Sequence, residues 1–280
     1  MKIKKRKRNI PMLIAQIIAV IMAAIIYGVP FYFVIVNSLK NHTEAGLMNI
    51  SFPSELLFIN YLDVLKADDY AVLRAFRNSI IITFFSVLIL VIVASMLGYI
   101  IQRRNDKLSD LLNFLILTGL MIPPAIVPTI WIMQSIGVFK TLRGMVLVEV
   151  ALHMSFCTIM YRGAMASIPR ELDDAAIIDG CSSIRLFSMI IFPLLKSVTS
   201  AVIIITSVGI FNDFVNPLFF LPGKENVTIQ TTLYQFTGMY YNQWNLLFAD
   251  VVIITIPPLI LFIFFNKRII DGMVAGAIKG

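Results

Sequence analysis

Glu171-Leu-Asp-Asp-Ala-Ala-Ile-Ile-Asp-Gly180, followed by Phe187 and by Phe192-Pro193-Leu194, is a polar island between two long apolar stretches. Pro169 suits a helix start, and Glu171, Asp173 and Asp174 place negative charge in the first turn, where the helix dipole favours it. Leu172, Ala175, Ala176 and Asp179 recur at i, i+3, i+4 and i+7, giving one narrow face of mostly small side chains. Gly180 accepts a left-handed conformation and ends this helix. Ser182 or Ser183 then caps a second helix whose Ile184, Phe187 and Ile191 share a face, and Pro193 stops it. The spacing leaves two uses open. The island is either a finger that seats in a soluble partner or an amphipathic helix lying among lipid headgroups.

The rest of the chain is far too apolar for a soluble protein. Of its 280 residues, 59% are hydrophobic and 14% charged, with mean hydropathy +0.87, whereas a globular domain carries about 25% charged residues. The net charge of +7 sits where a membrane protein keeps it and does not indicate nucleic acid. Cys157 lies in an apolar run and Cys181 in the island, so no disulfide framework is implied.

A helix needs about 20 mainly apolar residues to cross roughly 30 Å of hydrocarbon. Six stretches qualify, at about 12–37, 79–101, 111–138, 143–164, 197–221 and 246–266. The third is interrupted by Pro123-Pro124 and Pro128 and the sixth by Pro257-Pro258. Such breaks are either plain helix irregularity or the lining of a cavity. The basic leader Lys2 to Arg8 and the run after it imitate a signal peptide, but the run is too long and lacks a small-residue cleavage site, so an uncleaved first span is expected. With the N-terminus inside, 16 of the 23 Lys and Arg residues fall on the cytoplasmic side, the side on which such residues accumulate. Both termini and the island, as a loop over 166–196, are therefore expected in the cytosol. Outside, residues 60–65 and 71–76 have the spacing of short surface helices, and Asn78-Ser79 is expected to cap the second span. The fold class is all-α: a single polytopic membrane domain over 1–280 with six transmembrane helices and a cytoplasmic helix–Gly–helix loop.

Polar groups at membrane depth cost roughly 2.5–3.5 kcal/mol when charged, so they face a cavity or a partner. Asn212, Asp213 and Asn216 lie in the outer half of the fifth span and serve either a solute pathway or helix capping. Glu149 and His153, four apart on one face, either bond each other or offer acceptors to sugar hydroxyls. Gln134, Trp131 and Tyr234 are of the amide and aromatic types that sugars favour. No residue set has the spacing of a nucleophile–base pair or of metal ligands, and no Gly-x-x-x-x-Gly-Lys-Ser/Thr loop is present to cradle a nucleotide. No catalytic residue, metal or cofactor is assigned. A secondary transporter would show internal repeats and intramembrane charge relays, and neither is found.

Ile168-Pro-Arg-Glu-Leu-Asp-Asp-Ala-Ala-Ile-Ile-Asp-Gly180, with Phe187 and Pro193-Leu194, resembles the EAA loop of ABC-importer permeases, above all the carbohydrate importers related to the maltose system. Met121-Ile-Pro-Pro124, Phe211-Asn-Asp-Phe-Val-Asn-Pro-Leu218 and Asp271-Gly272 through Gly276-Ala-Ile-Lys-Gly280 resemble that group's third-span, fifth-span and C-terminal patterns. Asp174 stands where the family most often has Glu, Phe192 where Leu precedes the proline, and Ser197 where a proline is frequent. The resemblance implies that the loop docks in a cleft of a separate ATPase through Asp174, Ala175, Ala176 and Gly180, with Glu171 and Asp179 beside them. It further implies a second homologous permease, two ATPase subunits holding ATP and Mg, an extracytoplasmic solute-binding protein, and residence in a prokaryotic cell membrane. An ABC importer for a non-carbohydrate solute is the alternative, because the loop is shared beyond the sugar group.

Overall fold

The computed structural model describes residues 10–238 and 242–277, and the secondary structure it shows is almost wholly helical. In chain order the helices are α1 (Ile10–Ser38), α2 (His42–Gly46), α3 (Ile59–Arg103), α4 (Lys107–Met121), α5 (Ile126–Ser135), α6 (Leu142–Met165) and α7 (Glu171–Ile178). Then come α8 (Ser183–Arg185), which passes through a π turn (Leu186–Ile191) into α9 (Phe192–Leu194), α10 (Lys196–Phe211), α11 (Val215–Phe220), a 3-10 turn (Ile229–Gln235) and α12 (Trp244–Ala277).

Three helices among the described residues are long and apolar enough to cross a membrane: Ile14–Ser38, Ile59–Arg103 and Leu142–Met165. Ser183–Leu194 and Lys196–Phe211 pass only as a pair bent by 78°, and Ile126–Ser135 and Trp244–Ile260 are apolar but shorter. The expected third span is divided, since Pro123 and Pro124 end α4 and α5 begins at Ile126. Pro257 and Pro258, by contrast, lie inside α12 without ending it.

Contacts group the chain into two units. In the first, formed by the described residues of 1–67 with 233–255, α1 is apolar on nearly every side and exposed along most of its length. A polar lock closes its C-terminal end. Lys40, 1% exposed, donates from Nζ to Asn37 Oδ1 at 3.1 Å and to the Asn49 carbonyl and Oδ1 at 2.8 Å each. Asn60 Nδ2 donates to the carbonyls of Ser38 and Lys40 at 2.8 and 2.9 Å, and its own Oδ1 accepts from Asn245 Nδ2 at 3.0 Å. Burial pulls the Lys40 ammonium below the usual lysine range, and the nearby Glu44 carboxylate opposes that shift. The lysine is held by neutral oxygens and not by an ion pair.

The second unit comprises 68–232 with the described residues of 256–280. Inside α3, Asp68, Asp69 and Tyr70 turn left-handed with φ of 47°, 54° and 59°, at about 1–2 kcal/mol per residue for L-amino acids. Arg74 offsets part of this by donating to the carbonyls of Asp69 (2.7 Å) and Asp68 (3.2 Å). Residues 60–65 and 71–76 are helical as expected, but as segments of α3 on either side of this turn. Asn78 and Ser79 accordingly do not cap a span, since their helix starts about twenty residues earlier. They anchor a distant loop: Asn78 Nδ2 donates to the Val227 carbonyl at 3.0 Å, and Ser79 Oγ accepts from the Ile229 amide at 2.9 Å.

The core of this unit is helix against helix, with small residues at the crossings, as membrane helix packing requires. A Cβ at Gly98 of α3 would stand 2.9 Å from both the Arg162 nitrogen and Tyr161 Cβ of α6. Gly119 of α4 meets Ser155 of α6 in the same way. Tyr161, fully buried, donates to Thr199 Oγ1 at 3.2 Å and so ties α6 to α10. At the start of α4, Asp106 Oδ1 accepts from the Ser109 amide at 2.9 Å, a standard N-cap. That bond and the adjacent Arg104 guanidinium hold the Asp106 carboxyl below the usual carboxylate range.

Candidate functional site

The island folds as a helical hairpin, and its closing turn follows from one residue. α7 runs out at Asp179, Gly180 takes φ +75°, and the two bonds of a Schellman motif form: Cys181 N to Ala176 O at 2.9 Å and Gly180 N to Ile177 O at 3.0 Å. Ser182 is the N-cap of the return helix by backbone geometry (φ −70°, ψ 153°) but makes no side-chain capping bond. Pro193 does not stop that helix. The chain widens into the π turn Leu186–Ile191 and carries through Pro193 to Leu194. A π turn pairs each carbonyl with the amide five residues on, and at its end the Phe192 amide donates to the Phe187 carbonyl.

The faces of the hairpin differ from the spacing in two respects. Ala176 leaves the expected outward stripe and is 5% exposed within the core, while Leu172, Ala175 and Asp179 remain outside. Ile184 does not share a face with Phe187 and Ile191 as the spacing predicts, because the π turn shifts the register: Leu186 goes in at 3% exposure and Ile184 points out at 80%. Phe187 and Ile191 pack inside, with Phe187 stacked between Tyr99 and Phe192 at centroid distances of 5.5 and 5.9 Å.

One acidic residue of α7 turns inward, Asp173, which neither the spacing nor the resemblance placed at a contact. Asp173, 8% exposed, pairs with Arg103 Nη2 through Oδ2 at 2.9 Å and accepts the Tyr99 hydroxyl on Oδ1 at 2.8 Å. Arg103 also donates to the Ile168 carbonyl at 3.1 Å, and Arg170 Nη2 to the Gln102 carbonyl at 3.0 Å. The hairpin is thereby fastened to the end of α3. Glu171, Asp174, Ala175, Asp179 and Gly180 are exposed together with Ile177, Ile178, Ile184 and Met189. Apolar tips rimmed by carboxylates are the make-up of a protein-docking surface.

The second polar site lies where α10 stops. Asp213 accepts from Asn216 on both oxygens, from the backbone amide at 3.2 Å and from Nδ2 at 2.7 Å, so it also works as a helix-start clasp for α11. Asn212 Oδ1 accepts from Gln230 Nε2 of the 3-10 turn at 3.1 Å. Glu149, on α6, is 1% exposed. His153 sits on the same face of α6 as Glu149, but its Nδ1 lies 3.0 Å from the Glu149 backbone carbonyl and 3.5 Å from Oε2. The two side chains thus stand within ion-pair distance without a hydrogen bond between them. A cavity of about 270 Å³ between α5, α6 and α11 is lined by apolar side chains with Thr129 and Asn216 among them. Gln134, Trp131 and Tyr234 are exposed, and none of them lines it.

Long apolar helices, one of them bent and another broken, with a hairpin tied to the end of α3, define an integral membrane protein. The family model described as "Binding-protein-dependent transport system inner membrane component" matches residues 91–274, and the chain belongs to that family. It is 32% identical over 261 residues to the probable starch degradation products transport system permease protein AmyC of Thermoanaerobacterium thermosulfurigenes, covering 92% of this chain and 94% of that protein. It is 32% identical over 276 residues to the melibiose/raffinose/stachyose import permease protein MelC of Bacillus subtilis (strain 168), covering 98% and 99%. In fold it is similar to a chain of a bacterial ABC transporter involved in the import of the acidic polysaccharide alginate, with TM-score 0.80, 17% identity and coverage of 95% and 99%.

Proposed function

We propose that this chain is the permease subunit of an ATP-driven ABC importer and forms half of the pathway for a sugar or oligosaccharide delivered by an extracytoplasmic binding protein. The observation that carries the proposal is the Schellman-closed hairpin. It is clamped to α3 by Asp173 and offers Glu171, Asp174, Ala175, Asp179 and Gly180 outward, on a chain whose relatives are named for sugar transport. The hairpin, within loop 166–196, passes the closure of two partner ATPase subunits to the membrane helices. ATP and Mg reside on those partners, and this chain performs no hydrolysis. Ala176 contributes from within, by holding the closing turn.

In this proposal six spans, at about 12–37, 79–101, 111–138, 143–164, 197–221 and 246–266, cross a prokaryotic cell membrane with both termini in the cytosol. A second homologous permease completes the pathway. Asn212, Asp213 and Asn216, at the break after α10, meet the passing solute, and Glu149 on α6 and the exposed amide of Gln134 are separate candidates. An importer of a non-carbohydrate solute is the second reading. It is favoured by the fold likeness to a chain of the MetNI methionine ABC transporter at TM-score 0.56, over 72% of this chain.

The deciding experiment is uptake by proteoliposomes holding the complex assembled with its genomic neighbours. Labelled raffinose, maltotriose and methionine are presented with the binding protein and with ATP on the ATPase side. ATP-dependent entry of a sugar supports the proposal. Entry of methionine alone, or entry that ignores ATP, defeats it.

A further inference from the structure

The hairpin's action leaves His153 unexplained. It lies midway along the 24 residues of α6, near the centre of the bilayer in the orientation proposed above. An imidazole at that depth is costly against hydrocarbon, so it faces a partner or a water-lined path. One edge of the ring has its partners. Nδ1 stands 3.0 Å from the Glu149 backbone carbonyl, and a carbonyl only accepts, so Nδ1 carries a proton. The Glu149 carboxyl, buried and without a hydrogen bond among the described residues, stands 3.5 Å from the same nitrogen. Both oxygens attract the Nδ1 proton and hold that edge of the ring toward its own helix. The other edge is open. Nε2 has no hydrogen bond among the described residues, and the side chain is 28% exposed. Nε2 faces Gly209 of α10, where an added Cβ would stand 3.5 Å away in ordinary contact. Gly209 precedes Asn212 and Asp213 by one turn, so Nε2 lies about 5 Å further into the membrane than the polar break.

We propose that His153 contacts the solute, its Nε2 hydrogen-bonding a sugar hydroxyl as the sugar moves inward from the break, and that Glu149 positions the ring. This role rests on the sugar-importer reading above. A hydroxyl both donates and accepts, so it matches Nε2 whether or not the ring carries a second proton. A carboxylate only accepts and an ammonium only donates, so neither suits both states. The buried carboxyl of Glu149 acts on the solute through His153. Gly209 keeps the approach to Nε2 clear, because it puts no side chain in front of that nitrogen.

The test is uptake by the reconstituted complex of whichever of raffinose and maltotriose wild type accepts, set against monodeoxy analogues of that sugar. The binding protein's own preference is common to wild type and variants, so it cancels when their sugar-to-analogue ratios are compared. For the analogue that lacks the contacted hydroxyl, wild type should prefer the parent sugar about three- to tenfold more than His153→Phe does, the worth of one hydrogen bond. His153→Gln, which returns a donor and an acceptor to that edge, should restore most of the preference. Gly209→Val, which covers Nε2, should lose it, and Gly209→Ala should keep it. A purely structural role lowers uptake of every sugar alike and leaves the ratios unchanged, and that result overturns the proposal. Should His153→Phe fail to assemble, wild-type complex with isotope-labelled histidine in this chain decides, since the chain has only two histidines. The nitrogen resonance of His153 Nε2, assigned by its loss in His153→Gln, should move when sugar and binding protein are trapped with vanadate. A resonance that stays in place overturns the proposal. A wild-type complex that imports methionine and neither sugar refutes the sugar importer and this role with it, whereas unchanged ratios in a complex that moves sugar refute the role alone.

Discussion

Asp173→Ala probes the fastening of the hairpin, because that carboxylate has two partners and nothing nearby replaces it. The substitution removes the 2.9 Å ion pair to Arg103 and the 2.8 Å bond from Tyr99. It leaves a guanidinium whose side chain is 10% exposed and whose Nε already lacks a partner among the described residues. Removing one member of a buried pair costs about 3–5 kcal/mol. The rim position and the surviving bond to the Ile168 carbonyl allow solvent and backbone to recover part of this, leaving about 2–3 kcal/mol for release of the hairpin. Local opening is then favoured by about 30- to 150-fold. Hydrogen–deuterium exchange of a peptide covering 171–194 should accelerate by that order, while Asp174→Ala, exposed on the same helix, changes it by less than about twofold. Because removing both members relieves the orphaned charge, Arg103→Met with Asp173→Leu should restore part of the protection. Equal exchange in Asp173→Ala and Asp174→Ala would refute the reasoning.

Gly180→Val places a β-branched residue at φ +75° with open space around its Cβ. The cost is backbone strain, at least about 1–2 kcal/mol. Uptake should drop at wild-type membrane abundance, as shown by transport set against immunoblot. Gly98→Leu drives a side chain into the α6 backbone 2.9 Å away, a clash worth about 1–3 kcal/mol or more, so membrane abundance itself should fall. Lys40→Met removes the ammonium's bonds to Asn37 Oδ1 and to the two Asn49 oxygens, although Asn37 Nδ2 and Ser51 still donate to Asn49. At about 0.5–1.5 kcal/mol for each bond lost, the melting temperature of the purified protein should drop by several degrees.

What the sequence disclosed, and what it withheld, follows from the range of the forces involved. Gly180 was legible because a left-handed helix end is a local demand that one residue type meets best. Pro123-Pro124 was legible for the same reason, a missing amide being a property of the residue itself. Asn212, Asp213 and Asn216 stood out because polarity at membrane depth demands company. Asp173 was hidden, since three nearby carboxylates serve a helix dipole equally and its partner Arg103 lies seventy positions earlier. The outward turn of Ile184 was hidden as well, because a π turn changes the angular step that heptad-like spacing assumes. Asn78 and Ser79 carried a capping signal, but their true partners, Val227 and Ile229, are supplied by tertiary contact some 150 residues away.

The central claim is that a separate ATPase grips the exposed side of the hairpin. A photoreactive amino acid placed at Ile178, 84% exposed beside the Gly180 turn, tests this in cells during active uptake. Crosslinks to the ATPase subunit, strengthened when nucleotide closes it, are the expected result. Crosslinks confined to lipid or to this chain's own helices would contradict the account.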